Sequence, residues 1–240
     1  MSTHRRIWVA GWLAAILLAL GFSLLGGWQW RRMHEKQAML DRVQAVTEAR
    51  QAVPLAHASD PARARDYAWS AGSGRFADGA AWLLDNQQRD GRPGVRVYRV
   101  FLPEGDARPL LVELGWLPMP PNRQLAPLAP MPGGSMTLSG LLMPPPSRGV
   151  LGGESVETPA GHLVIGLDPA KMAAQSGVPA LAPRILRPDP GAPFGYARDM
   201  DVLPNTLPPE KHLGYAVQWF ALAAAVLVTA LVLTLRAHRP

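Results

Sequence analysis

The sequence predicts a membrane protein in which two transmembrane helices flank a mainly β domain of the α+β class. Two observations indicate the helices: a long uncharged apolar segment lies near each end of the chain. A third indicates the domain, because most of the 25 Pro and 23 Gly residues lie between these segments and divide the middle into short elements. Evenly spaced short strands of this kind favour a small antiparallel barrel or sandwich.

The first predicted span covers residues 7–28, after a tail of residues 1–6. No residue from Ile7 to Trp30 is charged, and such a length crosses a hydrocarbon core of about 30 Å. A cleavable signal peptide is the alternative, but it has a shorter apolar core and a small-residue cleavage site. Because this segment instead ends in Trp-Gln-Trp, we expect an uncleaved anchor.

The second predicted span covers residues 212–235 and is followed by a tail of residues 236–240. Tyr215 and Trp219 near its start, like Trp28 at the end of the first span, are aromatic residues typical of a membrane boundary. Two spans place both termini on one side of the membrane and the middle on the other. The positively charged residues that flank the spans do not decide which side is which.

Between the spans, residues 29–50 are predicted to continue the first helix, with an ion pair between Arg31 and Glu35. Residues 51–211 form the β-rich domain. Asp-Gly in RDGRPG (residues 89–94) predicts a hairpin turn, since glycine adopts positive φ freely. DPAKMAAQSG (residues 168–177) predicts a short helix capped by an aspartate and ended by a glycine, and residues 178–211 are expected to be mostly irregular. The predicted strands lie in WSAGSGRF, AAWLLDNQQ, GVRVYRVFLP, RPLLVELGWLP, SMTLSGLLMP and GHLVIGLD.

Composition narrows the possible functions. The chain has no cysteine, which excludes disulfides and thiolate metal sites. Motifs of nucleotide-binding proteins, serine hydrolases and zinc peptidases are absent from the sequence, so we expect a protein that is not an enzyme. The net charge of +6 comes from residues spread along the chain. This distribution does not indicate a nucleic-acid partner, whereas the spans make membrane lipid a partner.

Chemically distinctive residues gather where the two spans meet the membrane boundary. His212, Tyr215 and Trp219 are spaced i, i+3 and i+7, so they share one helix face. In an antiparallel pair of spans, the start of the second lies at the depth of the end of the first. The residues expected there from the first span are Trp28, Gln29, Arg31 and Arg32.

An imidazole, aromatic faces and guanidinium groups at one depth suit an amphipathic porphyrin. The imidazole of His212 would bind the iron, and aromatic side chains would pack against the ring. Arg31 or Arg32 would pair with the propionates. The alternative is that these residues are ordinary interfacial anchors. The proposed ring-packing residues are Trp28, Tyr215 and Trp219, with the amide of Gln29 beside them.

Four segments follow one another along the chain: LGGWQWRRMHEK (25–36), RDGRPGVRVYRVF, LLVELGWLP (110–118) and KHLGYAVQWFALA (211–223). In this order they resemble the opening signature, two central segments and the closing signature of the surfeit-locus (Surf/Shy) cytochrome c oxidase biogenesis family. Glu113 and Leu114 depart from the pattern, because the family usually has Asn and Arg there.

The resemblance implies an accessory protein of the bacterial inner membrane that assists maturation of the haem-copper oxidase catalytic subunit. It implies that His212 is an iron ligand for haem a, held transiently and then transferred. It also implies cytoplasmic termini and a periplasmic middle domain, with the oxidase catalytic subunit as the main partner and haem a synthase as a second candidate. A cofactor-free scaffold that stabilises an oxidase assembly intermediate is the alternative function.

Overall fold

The computed structural model describes residues 3–146, 155–203 and 206–237. The chain divides into two compact units. The first unit comprises Met1–Asp41 and Thr206–Pro240, and the second comprises Arg42–Asn205. The first unit thus contains both ends of the chain, and the second contains its middle.

Two long helices dominate the first unit. Helix α1 spans Thr3–Ala49 and helix α3 spans Pro209–Ala237. Both contain an 18-residue window of mean hydropathy 2.2 of which only 11% is buried. Helices with this length and exposed apolar surface are suited to a lipid environment, and they indicate a membrane protein with two spans.

Within the described residues, a nine-stranded sheet forms most of the second unit, which confirms the mainly β prediction. Its strand order is β1-β2-β6-β9-β5-β4-β3-β8-β7, with a further pairing between β2 and β4. Three of the pairings among the described strands are parallel, β1 with β2, β3 with β8 and β5 with β9, so the sheet is mixed, whereas the sequence favoured a small antiparallel barrel or sandwich. The strands are β1 Val53–Pro54, β2 Ala68–Phe76, β3 Trp82–Arg89, β4 Arg92–Pro103, β5 Leu110–Pro118, β6 Met136–Met143, β7 Val156–Thr158, β8 Gly161–Val164 and β9 Ile185–Pro188.

The turn between β3 and β4 confirms the sequence-based prediction. Asp90 and Gly91 join Arg89 to Arg92, with φ values of 51° and 73°. Positive φ at both central residues gives a two-residue turn whose twist matches that of the paired strands. The turn therefore joins β3 and β4 as an antiparallel hairpin.

Two apolar clusters lie on opposite faces of the central strands. In β4, Val95 and Val97 belong to one cluster, whereas Tyr98 and Val100 belong to the other. This follows from the alternation of side chains along a strand. Val43 at the end of α1 joins the second cluster, so the last turns of α1 contribute to the core of the second unit.

Strand β9 contradicts the prediction that residues 178–211 are mostly irregular. Ile185–Pro188 pairs with β5 on one side and β6 on the other. Four residues that end in a proline give little local signal, and their extended form depends on partners distant in sequence.

The short helix was predicted correctly: α2 spans Pro169–Gln175, and the Asp168 side chain caps it.

Candidate functional site

His212 lies in the first turns of α3 and is buried, with 6% of its surface exposed. Its Nδ1 atom lies 2.6 Å from Oε1 of Gln29 on α1. Because an amide oxygen can only accept a hydrogen bond, Nδ1 is the donor in this arrangement. The Nε2 atom of the neutral ring then carries a lone pair.

Nε2 of His212 is buried and makes no hydrogen bond within the described part of the chain. Metal-binding histidines are usually oriented in this way, with one ring nitrogen held by a polar group and the other free for the metal. The ring therefore fits the role of an iron ligand. Since Nε2 is enclosed, neighbouring side chains must move apart before a ligand can reach it.

Close packing between α1 and α3 surrounds this histidine. A side chain at Gly26 would contact the Phe220 ring at 2.8 Å, so glycine allows this ring to lie against α1. About two turns deeper than His212 and Gln29, Phe22 and Trp219 stack with ring centroids 5.6 Å apart. Small and aromatic residues thus form a tight seam between the spans, as is common for helices in membranes.

The structure brings only some of the predicted ring-packing residues into this seam. Trp219 lies there, but its ring is already stacked on Phe22. Trp28 and Tyr215 are 48% and 42% exposed, so they lie on the outer surface of the helix pair. Gln29 contacts the histidine directly, which gives its amide a more definite role than the sequence indicated.

The arginines near the site are exposed, and one forms an ion pair. Arg32 pairs with Glu35, with 2.9 Å between Nη1 and Oε2. The predicted pair between Arg31 and Glu35 is therefore wrong, because the i, i+3 neighbour takes the carboxylate. Arg31 is exposed. Lys36, which sequence reasoning did not select, donates to the carbonyl of Leu207 just before α3.

A buried charge cluster in the second unit also escaped prediction as a site. Glu113 on β5 is fully buried, and it accepts hydrogen bonds from Arg96, Arg187 and the Tyr98 hydroxyl. Burial alone would raise the pKa of Glu113. The positive charges of Arg187 and Arg96 outweigh it, so this pKa lies below its ordinary value of 4.5. The sequence signal was Glu113 itself, a charge within an apolar strand.

Tyr98 is held neutral beside this carboxylate. Burial raises its pKa well above 10.0, and the charge of Glu113 raises it further. The phenol therefore keeps its proton and donates to Glu113 Oε2 at 3.1 Å. Arg187 remains charged, because the attraction of Glu113 raises its pKa despite burial. The cluster is thus a fixed set of charges in the core.

The described residues contain no group of three or more His, Asp or Glu side chains that could hold a metal ion alone. Any metal at His212 would therefore need most of its ligands from elsewhere, as the iron of a porphyrin does from the ring nitrogens. At this place the described residues thus offer a single imidazole and no set of three protein ligands.

Comparison with known proteins places the chain in one family. The model of the SURF1 family matches residues 16–224, a region that includes part of each candidate span and the whole sheet. A comparison with curated proteins found no significant match. Since the family model covers well over half of the sequence, and includes both His212 and Gln29, the chain belongs to the SURF1 family.

Proposed function

We propose that this protein binds haem a at His212 and transfers it to the catalytic subunit of the haem-copper oxidase. Membership of the SURF1 family implies a role in cytochrome c oxidase assembly, and its members are assembly factors rather than enzymes. The proposal adds a cargo and a residue to that role. Haem supplies an iron that accepts a neutral imidazole.

The buried Nε2 atom of His212 is the observation that carries the proposal. A buried nitrogen without a hydrogen-bond partner costs free energy, and most such groups have a partner in native proteins. An iron ligand would provide this partner. Gln29 would hold the ring orientation by accepting from Nδ1, which also makes Nε2 a better donor to the metal.

A transfer protein must release its cargo as well as bind it. Only one imidazole is present at this place among the described residues, so the protein would contribute a single axial ligand. Trp219, together with the more exposed Trp28 and Tyr215, would provide apolar contacts to the ring. Arg31 and Arg32 are exposed near the same depth, and they would pair with the propionates.

The proposed location is the bacterial inner membrane, with cytoplasmic termini and the sheet domain in the periplasm. The oxidase catalytic subunit is the proposed acceptor, and haem a synthase is the proposed donor. Two observations support a membrane setting for the exchange: both candidate spans are exposed and apolar, and His212 lies at the start of the second span.

The test compares His212→Ala with His34→Ala, since His34 is an exposed histidine on α1. Both variants and the parent chain are purified from cells that make haem a, and the Soret absorbance per protein is measured. We expect at least about a tenfold loss of bound haem for His212→Ala, because the axial ligand is removed. We expect His34→Ala to match the parent. Equal haem content in all three would overturn the ligand assignment.

A cofactor-free scaffold is the second candidate function. The close contact of Gly26 with Phe220 and the hydrogen bond between Gln29 and His212 favour it, because both would stabilise the helix pair without a ligand. A colourless parent protein that still co-purifies with the oxidase subunit would support the scaffold instead of the carrier.

A further inference from the structure

A cavity lies between α1 and α3, deeper in the spans than His212. Its volume is about 430 Å³, within the range of pockets that hold small molecules. Small residues create it: Gly11 and Ala15 on α1 face Ala225 on α3. Trp12, which also lines it, donates a hydrogen bond of 3.0 Å to Thr234 across the two helices. The cavity is therefore a groove between the two helices.

The lining of this groove is almost wholly apolar. It includes Leu18 and Leu222, which are 53% and 45% exposed, so the groove opens onto the surface that faces lipid. Its walls lack partner atoms for dispersion contacts, and an apolar chain would supply them. A charged headgroup or a free metal ion would find no polar partner among these leucines and alanines.

The groove lies along the same seam as His212. Leu18 is 11 residues before Gln29, and Leu222 is 10 residues after His212, so both lie about 15 Å deeper at the rise of a helix. The stacked pair of Phe22 and Trp219 lies between the two levels. A ligand with a flat ring at His212 and a long apolar tail would span this distance along the outside of the stacked pair.

We infer that this groove holds the isoprenoid tail of haem a, an inference that rests on the proposed function. Haem a and haem o carry a long isoprenoid tail that protohaem lacks, whereas the iron and both propionates are common to all three. The histidine would then recognise the iron, and the groove would select haems that carry a tail. Gly11, Ala15 and Ala225 are specificity residues in this scheme, because larger side chains would fill the space.

The test uses haem o and protohaem, because the tail distinguishes them and the ring iron does not. The full chain in phosphatidylcholine nanodiscs is titrated with each haem, and binding is followed by the Soret band. Packing of apolar groups within a membrane contributes only a modest free energy. We therefore expect the tail to make haem o bind at least about threefold more tightly than protohaem. In Gly11→Phe, this preference falls to about one while protohaem binding is unchanged.

Gly21→Phe is the matched control. A Cβ atom added at Gly11 or at Gly21 would meet no atom within 4 Å, but only Gly11 lines the groove. Gly21→Phe should keep the preference of the parent chain. Ala225→Phe, with Ala224→Phe as its control, repeats the comparison from the other helix if Gly11→Phe does not fold.

Three results would overturn the inference while leaving the carrier function intact. They are equal binding of the two haems by the parent chain, an unchanged preference in the groove variants, and a parallel loss of both haems in those variants. The first would assign the groove to a lipid acyl chain. If the parent chain binds neither haem, or if His212→Ala binds both as the parent does, the proposed function fails and the inference fails with it.

Discussion

At Glu113, one buried carboxylate accepts hydrogen bonds from two buried guanidinium groups. Its Oε2 atom lies 3.0 Å from Nη2 of Arg187 and 3.1 Å from the Tyr98 hydroxyl, and Arg96 contacts Oε1. Removing one member of such a cluster leaves an uncompensated charge in the core, which costs about 3–5 kcal/mol.

Glu113→Gln should lower the unfolding temperature by roughly 6 to 20 °C, since about 1 kcal/mol corresponds to 2–4 °C in a domain of this size. Thermal unfolding of the full chain by circular dichroism measures the change. Glu157→Gln on the exposed strand β7 is the matched control, and we expect a shift near zero. Similar midpoints for the two variants would contradict the importance of the cluster.

The contribution of Glu113 to the stability of the fold depends on pH in a defined direction. The folded pKa of Glu113 lies below its ordinary value of 4.5. Its ionised form therefore stabilises the fold above about pH 4.5, and this contribution is lost as the pH falls toward the folded value. The difference in unfolding temperature between the parent chain and Glu113→Gln should be constant from pH 7 to 5 and shrink below pH 4.5.

At the scale of elements, we expect the packing of α1 against α3 to depend more on Gly26 than on the adjacent Gly27. Gly26 faces the Phe220 ring, whereas a side chain at Gly27 would meet no atom within 4 Å. Both glycines are helical, so leucine at either position brings the same gain in helix propensity. The difference between the two variants then isolates the contact between the helices.

We expect Gly26→Leu to be about 1–3 kcal/mol less stable than Gly27→Leu, because the added side chain would overlap the Phe220 ring and force it to shift. Unfolding in detergent, followed by tryptophan fluorescence, provides the comparison. Gly26→Leu should also weaken the hydrogen bond between Gln29 and His212, because the two side chains must stay within hydrogen-bond distance. Equal stability of the two variants would show that the Phe220 ring moves aside at little cost.

At the scale of the whole molecule, two candidate spans require both ends of the chain to lie on one side of the membrane. The absence of cysteine makes this testable with single engineered thiols. Ala126 is an exposed residue of the second unit, and Ala237 is exposed at the end of α3. These two positions report on opposite sides under the proposed topology.

Ala126→Cys should react with a membrane-impermeant maleimide added to intact cells, because the sheet domain is proposed to be periplasmic. Ala237→Cys should react only after the membrane is permeabilised. The cysteine-free parent chain is the control for background labelling. Labelling of Ala237→Cys in intact cells, without labelling of Ala126→Cys, would reverse the topology and place His212 at the cytoplasmic face.

Local features of the sequence were sufficient for the spans, the Asp90–Gly91 turn, the capped helix α2 and six of the strands. Hydropathy, glycine conformation and capping act over a few residues, so they can be read without knowledge of the fold. The approach of His212 to Gln29 could also be expected, because two antiparallel spans of similar length bring the end of one beside the start of the other.

Only the tertiary structure decided what depends on residues distant in sequence. It placed β9 between β5 and β6, surrounded Glu113 with Arg96 and Arg187, and left Nε2 of His212 buried without a hydrogen bond among the residues that the structure describes. It also placed Trp28 and Tyr215 on the outer surface of the helix pair, whereas Phe22 and Trp219 stack between the helices. Burial and pairing are set by which surfaces meet, and no local pattern of residues contains that information.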